Sequence, residues 1–211
     1  LVNKLLATSE VTSSEIQTLF HQTAIEVCEG QAMDMDFEKR SDVSIDEYLL
    51  MIKLKTAVLV ACALKIGALI GGAKNSDANQ LYEFGINLGV AFQIHDDILD
   101  VYPSHSSFGK KVGGDIIEEK KTLLYISLLN SASKSEIDQL NTLYSSKDEN
   151  SEAIISEVKK MYEKYDVLSV ANNVKDKYHL AALSNIENLS IDQSNKYRLI
   201  SFAQDLMSRN F

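Results

Sequence analysis

The sequence has little of what interrupts helices or cross-links a chain. Among its 211 residues are one proline, nine glycines, two cysteines and no tryptophan. So few turn-forming residues argue against an all-β fold, whose many turns require them. Cys28 and Cys62 have no metal-type spacing, so we expect a reduced, cytoplasmic protein in which both thiols are small core residues.

Positive charge and long apolar runs are also scarce. The formal net charge is −9, which disfavours a nucleic-acid partner because such a partner requires a basic patch. The longest apolar run, TAVLVACALKIGALIGGA, is interrupted by Lys65 and closed by glycines. It therefore predicts a buried helix and no integral membrane segment.

Helix signals recur along the whole chain. Ser44 and Glu47 have the spacing of a capping box ahead of the apolar helix 44–70, and an earlier helix begins near Thr12 and Ser13. The next helix is predicted to start at Asp77 and stop at Pro103. Later helices are predicted over residues 115–130, 134–145, 151–165, 167–184 and 191–209. Without a linker or internal repeat, residues 1–211 are predicted to be a single all-α bundle.

Three carboxylates interrupt the apolar run in FQIHDDILD, residues 92–100. On a helix, Asp96 and Asp100 share a face and Asp97 borders it. Two such charges 4 Å apart repel by about 4 kcal/mol at an effective dielectric of 20. A divalent cation such as Mg²⁺ removes this repulsion and commonly shares its shell with a substrate phosphate. The alternative is an exposed acidic rim at a helix end.

Cationic and polar groups follow these carboxylates in FGKKVGGDIIEEKKT, residues 108–122. Its lysines could bind phosphate oxygens, and its glycines would let the backbone approach a ligand. Another lysine, Lys55, lies inside the apolar helix and is followed by Thr56. It either extends to solvent along its alkyl stem or binds phosphate. Carboxylates for metal and lysines for phosphate together predict a diphosphate site.

The sequence resembles the trans-isoprenyl diphosphate synthases, which include farnesyl, geranylgeranyl and longer polyprenyl diphosphate synthases. The motifs that carry the resemblance occur in the family's order: EGQAMD at 29–34, KTA at 55–57, FQIHDDILD at 92–100, GKKVGGD at 109–115 and KKT at 120–122. The implied fold is the all-α isoprenoid synthase bundle around a central cavity, and members are commonly homodimers.

The resemblance implies a role for each charged residue of these motifs. The acidic residues that match the family's second aspartate-rich motif, which binds Mg²⁺ and through it the allylic diphosphate, are Asp96, Asp97 and Asp100. The lysines that match diphosphate-binding positions are Lys55, Lys110 and Lys120, with Lys121 as an alternative to Lys120.

The remaining matched residues concern the cavity and the reacting carbons. Thr56 and Gln93 match polar groups near those carbons. Gln31 and Asp34 match positions that line the cavity, and Phe92 matches an aromatic residue facing the homoallylic substrate. The implied activity is condensation of isopentenyl diphosphate with an allylic diphosphate into a longer all-trans polyprenyl diphosphate.

The family's first aspartate-rich motif and its isopentenyl diphosphate site have no match in this sequence. We therefore expect a longer natural protein to be active and these 211 residues alone to be inactive. Two alternatives remain. A terpene cyclase of the same fold usually carries an Asn/Ser/Glu metal motif where this chain has DDILD. A non-catalytic partner subunit would have no reason to retain such costly buried charges.

Overall fold

A computed structural model describes residues 13–103, 112–145 and 151–208, and these ranges contain helices and turns but no strand. The predicted all-α fold is confirmed. The helices are α1 (Ser13–Phe37), α2 (Ile45–Ile52), a π-helix (Lys53–Ala57), α3 (Val58–Ile70), α4 (Asn75–Val101), α5 (Gly114–Ile117), α6 (Leu123–Ser131), α7 (Lys134–Ser145), α8 (Ser151–Lys164), α9 (Val167–Glu187) and α10 (Gln193–Met207). None of the helices within these ranges combines the length and hydropathy that a membrane crossing requires.

Helix α4 is the centre of the bundle and packs mainly against α3 and α9. Small residues allow its closest approach to the preceding helices. A Cβ atom added to Gly89 would lie 2.6 Å from the Cα of Ala57, so the two backbones meet directly. On the opposite side, Phe84 and Leu88 pack in a buried cluster with Ile186 of α9. This packing fixes the helix that carries the three aspartates.

The capping box before α2 is confirmed. The Ser44 backbone amide donates to the Glu47 carboxylate over 2.9 Å, and the Glu47 amide donates to the Ser44 hydroxyl over 3.2 Å. Helix α2 is therefore stabilised at its first turn. Tyr48, Met51 and Ile52 then point into the core.

Two predicted helices are interrupted. The single helix over 44–70 contains the π-helix Lys53–Ala57, although no proline or glycine marks that segment. The predicted helix over 115–130 is wrong, because α5 ends at Ile117 and α6 begins only at Leu123. There the Thr122 hydroxyl caps α6 by accepting from the Tyr125 amide over 3.4 Å.

Two single-residue predictions also need correction. Helix α4 begins at Asn75, not at Asp77. Asp77 is instead buried in the first turn, where its carboxylate accepts a hydrogen bond from the Ser190 amide over 2.9 Å. Cys62 is buried as predicted, but Cys28 is exposed, because it lies on a face of α1 that no described helix covers.

Candidate functional site

One cavity of about 170 Å³ collects charged residues from distant parts of the sequence. Its walls come from α1, α2, the π-helix, α4 and the segment 115–122. The acidic residues in the lining are Asp34, Asp96, Asp97 and Asp115, and the lysines are Lys55, Lys120 and Lys121. The alternative of an acidic rim facing only solvent therefore does not describe Asp96 and Asp97.

The π-helix presents Lys55 and Thr56 to this cavity. Its position depends on Gly30 of α1, because a Cβ atom at Gly30 would lie only 2.3 Å from the Lys55 amide nitrogen. The Lys55 ammonium donates to the Asp34 carboxylate over 2.6 Å. Single π-helical turns are frequent at functional sites, and this one contains the lysine predicted to bind phosphate.

A chain of hydrogen bonds crosses the cavity wall from α2 to the π-helix. The Tyr48 hydroxyl donates to Oδ2 of Asp97 over 2.6 Å, and Nε2 of Gln93 donates to Oδ1 of the same carboxylate over 2.9 Å. The Thr56 hydroxyl donates to Oε1 of Gln93 over 3.1 Å. Both oxygens of Asp97 are thus hydrogen-bonded within the protein.

Burial is the largest influence on the pKa values of Asp97 and Tyr48 in this series of hydrogen bonds. It raises the pKa of Asp97 to about 7, even though the hydrogen bonds from Tyr48 and Gln93 favour the ionised form. Burial, followed by the charge of Asp97, raises the pKa of Tyr48 well above its ordinary value. Tyr48 is therefore protonated and acts as the donor at neutral pH.

Asp100 connects the end of α4 to the start of α5. Its side chain accepts from the Asp115 amide over 3.0 Å, and its backbone carbonyl accepts from the Gly113 amide over 2.7 Å. Asp100 is not among the residues that line the cavity, whereas Asp115 is. The third aspartate of the motif thus holds the segment that brings Asp115 and its neighbours to the site.

The two adjacent lysines differ in their surroundings. The Lys120 ammonium donates to Asp115 over 2.7 Å and lies 3.2 Å from Glu118. Burial alone would lower the pKa of Lys120, but its bonds to Asp115 and Glu118 raise it above the ordinary value. Lys121 donates to the Glu119 carbonyl over 2.8 Å and lies over the Tyr125 ring, and burial lowers its pKa. Both remain candidates for phosphate binding.

The structure thus brings together much of the predicted site. The predicted residues that line this cavity are Asp34, Lys55, Thr56, Gln93, Asp96, Asp97 and Lys120. Gln31 is exposed and Phe92 is half-buried, and neither is in the cavity lining. Lys110 lies outside the described residues, so its role stays a prediction. Sequence reasoning missed Tyr48, which carries no local signal to distinguish it from an ordinary core tyrosine.

The residues of the cavity fit a Mg²⁺ ion that is bound partly by protein carboxylates and partly by the oxygens of a substrate phosphate. Within the described ranges, no three His, Cys, Asp or Glu side chains are close enough to hold a metal ion on their own. Mg²⁺ commonly binds one or two carboxylates together with substrate phosphates and waters, so three protein ligands are not required. Asp96 and Asp115 in a cavity that also contains lysines fit that donor set.

Comparison with known proteins agrees with this geometry. The family profile described as polyprenyl synthetase matches residues 1–164. The chain belongs to the polyprenyl synthetase family. The resemblance noted in the sequence is therefore confirmed.

Relatives of this polyprenyl synthetase chain include two isoprenyl diphosphate synthases. A short chain isoprenyl diphosphate synthase from Methanothermobacter thermautotrophicus is 41% identical over 152 residues, which are 72% of this chain and 46% of the relative. A geranylgeranyl diphosphate synthase from Sulfolobus acidocaldarius is 39% identical over 172 residues, 82% of this chain and 52% of the relative. The chain thus spans about half the length of these curated relatives.

A crystal structure of a geranylgeranyl pyrophosphate synthase superimposes with a TM-score of 0.88 at 39% identity. The match covers 100% of this chain and 65% of that one. The polyprenyl synthetase bundle predicted from the sequence is therefore the fold of this chain.

Proposed function

We propose that the whole protein carrying this polyprenyl synthetase chain condenses isopentenyl diphosphate with an allylic diphosphate, giving a longer all-trans polyprenyl diphosphate. The observation that carries the proposal is the convergence of Lys55, Lys120 and Lys121 with Asp96 and Asp97 on one cavity. Membership of the polyprenyl synthetase family and similarity to isoprenyl diphosphate synthases support it.

The lysines hold the allylic diphosphate and stabilise the negative charge that grows on it as the allylic C–O bond breaks. Lys55 reaches the cavity from the π-helix, and Lys120 and Lys121 reach it from the segment before α6. Lys110 remains a further predicted ligand of the same diphosphate. Because Lys55 is paired with Asp34 and Lys120 with Asp115, binding of a diphosphate must compete with these carboxylates.

Mg²⁺ is the metal we propose for this site, and its predicted ligands are Asp96, Asp97 and Asp100. Because no three described acidic side chains are close enough to hold it on their own, one or two of these carboxylates would bind it together with diphosphate oxygens and waters. When bound, it would neutralise charge on the diphosphate oxygens and so assist departure of the leaving group. Asp96 lines the cavity directly. Asp97 and Asp100 already accept hydrogen bonds from the protein, but a carboxylate oxygen has lone pairs for a second partner.

The reacting carbons carry positive charge after the C–O bond breaks, and the double bond of isopentenyl diphosphate attacks them. Oxygen atoms of Thr56 and Gln93 can stabilise this charge from the cavity wall. Phe37, Met51 and Ile52 supply apolar lining that keeps water from quenching the cation. The proton lost after coupling passes to the departed diphosphate. Gln31 and Phe92 are not in the lining of this cavity, and their roles toward the cavity and the homoallylic substrate stay predictions from the resemblance.

The proposal extends to a homodimer in the cytoplasm. The homodimer rests on the family resemblance, and the cytoplasmic location rests on the small number of cysteines, two in 211 residues. Sedimentation equilibrium of the whole protein tests the dimer, and a monomer at micromolar concentration would contradict it.

The test is product formation by the whole protein from labelled isopentenyl diphosphate and an allylic diphosphate, with Mg²⁺ or with a chelator. We expect a chain-elongated product only with Mg²⁺, and none from the 211-residue chain alone. A terpene cyclase would convert the allylic diphosphate without isopentenyl diphosphate. A non-catalytic subunit would give product only when a second synthase subunit is added.

A matched pair of variants tests the assignment of the acidic site. Asp96→Ala is expected to remove most activity while the helical circular dichroism signal stays unchanged. Asp138→Ala, at an exposed position of α7, is the control and should keep wild-type activity. Loss of helical signal in Asp96→Ala would instead show that Asp96 serves the fold.

A further inference from the structure

We propose that Tyr48 is a positioning residue for the reaction, acting through Asp97 to fix the orientation of the Gln93 side-chain amide. The inference rests on the proposed function, since it concerns the group that faces the reacting carbons. Tyr48 lies on α2, 49 residues from Asp97 in the sequence, and only 1% of it is exposed. It does not take part in the chemistry itself.

The direction of each hydrogen bond in the chain decides what Tyr48 does. Lone pairs on both Asp97 oxygens accept bonds, one from the Tyr48 hydroxyl and one from the Gln93 NH₂ group. Because the NH₂ group of Gln93 is turned toward Asp97, its carbonyl oxygen is turned toward Thr56, which donates to it. If the Gln93 amide were flipped by 180°, its carbonyl oxygen would face the Asp97 carboxylate, where neither group can donate. Its NH₂ group would then face the Thr56 hydroxyl, which could no longer donate a hydrogen bond to Gln93.

The orientation matters because only the oxygen end of the amide carries partial negative charge. With that end at the cavity wall, Gln93 can stabilise positive charge on the reacting carbons. With the NH₂ end there, it would oppose the same charge. Tyr48 holds the plane of the Asp97 carboxylate by the 2.6 Å bond to Oδ2, so that Oδ1 stays aimed at Gln93.

Removal of the Tyr48 hydroxyl leaves Oδ2 of Asp97 without this donor in a site where the residue is only 7% exposed. The carboxylate then turns toward other donors, and Gln93 loses its fixed orientation. The aromatic ring of Tyr48 keeps its packing in the variant Tyr48→Phe. The effect should therefore appear in the chemical step, without a change in binding of the diphosphate to the lysines.

The experiment is steady-state kinetics of the whole protein with Tyr48→Phe. We expect kcat to fall about tenfold, the size of one hydrogen bond to a charged group, with KM for the allylic diphosphate unchanged. The matched control is Tyr144→Phe, whose buried hydroxyl makes no hydrogen bond within the part of the chain that the structure describes. It should keep the wild-type kcat.

A second background separates positioning from a structural role. In Gln93→Leu, which removes the amide, adding Tyr48→Phe should cause no further loss of kcat. An equal tenfold loss in that background would overturn the inference, because Tyr48 would then act through another group, such as the metal that Asp97 is proposed to bind. A kcat for Tyr48→Phe equal to that of Tyr144→Phe would also overturn the inference. An inactive wild-type protein would instead reject the proposed function.

Discussion

Replacement of Gly30 by alanine tests whether the close contact between α1 and the π-helix builds the site. The added Cβ atom would lie 2.3 Å from the Lys55 nitrogen and 2.8 Å from the Leu54 carbonyl carbon. Both are backbone atoms that cannot rotate away, so the helices must separate. We expect overpacking to cost about 3 kcal/mol, offset by about 1 kcal/mol from the higher helix propensity of alanine. The net loss of about 2 kcal/mol corresponds to a fall in Tm of about 4–8 °C for a chain of this size.

The same displacement moves Lys55 and Thr56 within the cavity. A misplacement on the order of 1 Å can cost about a hundredfold in rate, so the whole protein with Gly30→Ala should lose activity on that scale. Thermal unfolding followed by circular dichroism and the product assay are the two measurements. Gly67→Ala is the matched control, because a Cβ atom there meets nothing within 4 Å and Gly67 is also helical. It should raise Tm slightly and leave activity unchanged; equal stability of the two variants would refute the reasoning.

Three further changes have defined outcomes. Ser44→Ala should lower the free energy of unfolding by about 1 kcal/mol in urea denaturation through loss of the capping box, and no change would mean that the cap is redundant. The pKa of Asp97 is raised from 3.8 to about 7 in the folded protein, so the folded state holds a proton there that the unfolded state has lost. Without divalent cations, the free energy of unfolding should therefore fall as the pH rises from about 4 to 7. Asp97→Asn should flatten that slope in denaturation midpoints, and an unchanged slope would place its origin elsewhere. Lys120→Met should weaken binding of the allylic diphosphate about tenfold in calorimetry, whereas the exposed control Lys160→Met should not; equal effects would remove Lys120 from the site.

The sequence was most informative where a local pattern implies a local contact. The pair Ser44 and Glu47 predicted a capping box, because both partners lie within one turn. The spacing in FQIHDDILD predicted that Asp96 and Asp100 share a helical face with Asp97 at its border. The structure brings Asp96 and Asp97 to the same cavity as Lys55, whereas Asp100 accepts a hydrogen bond from the Asp115 amide outside the cavity lining. Family motifs added the expectation that residues 120–122 would reach this cavity, and they do.

The features that sequence reasoning missed depend on contacts between distant segments. The π-helix at Lys53–Ala57 packs against Gly30, some 25 residues earlier, and nothing in KLKTA itself marks it. In the sequence, Tyr48 cannot be distinguished from an ordinary core residue. Only the structure shows that its hydroxyl donates a hydrogen bond to Asp97. Asp97 and Asp100 likewise accept hydrogen bonds from Tyr48 and from the Asp115 amide, partners that the motif FQIHDDILD does not contain.

The central claim is that the cavity binds a diphosphate, with carboxylates on α4 acting through Mg²⁺ and lysines across the cavity acting directly. Calorimetric titration of an allylic diphosphate into the whole protein is its most direct test. We predict that binding weakens about tenfold or more when Mg²⁺ is removed, and also in Asp96→Asn with Mg²⁺ present. Equal affinity in all three conditions would contradict the claim.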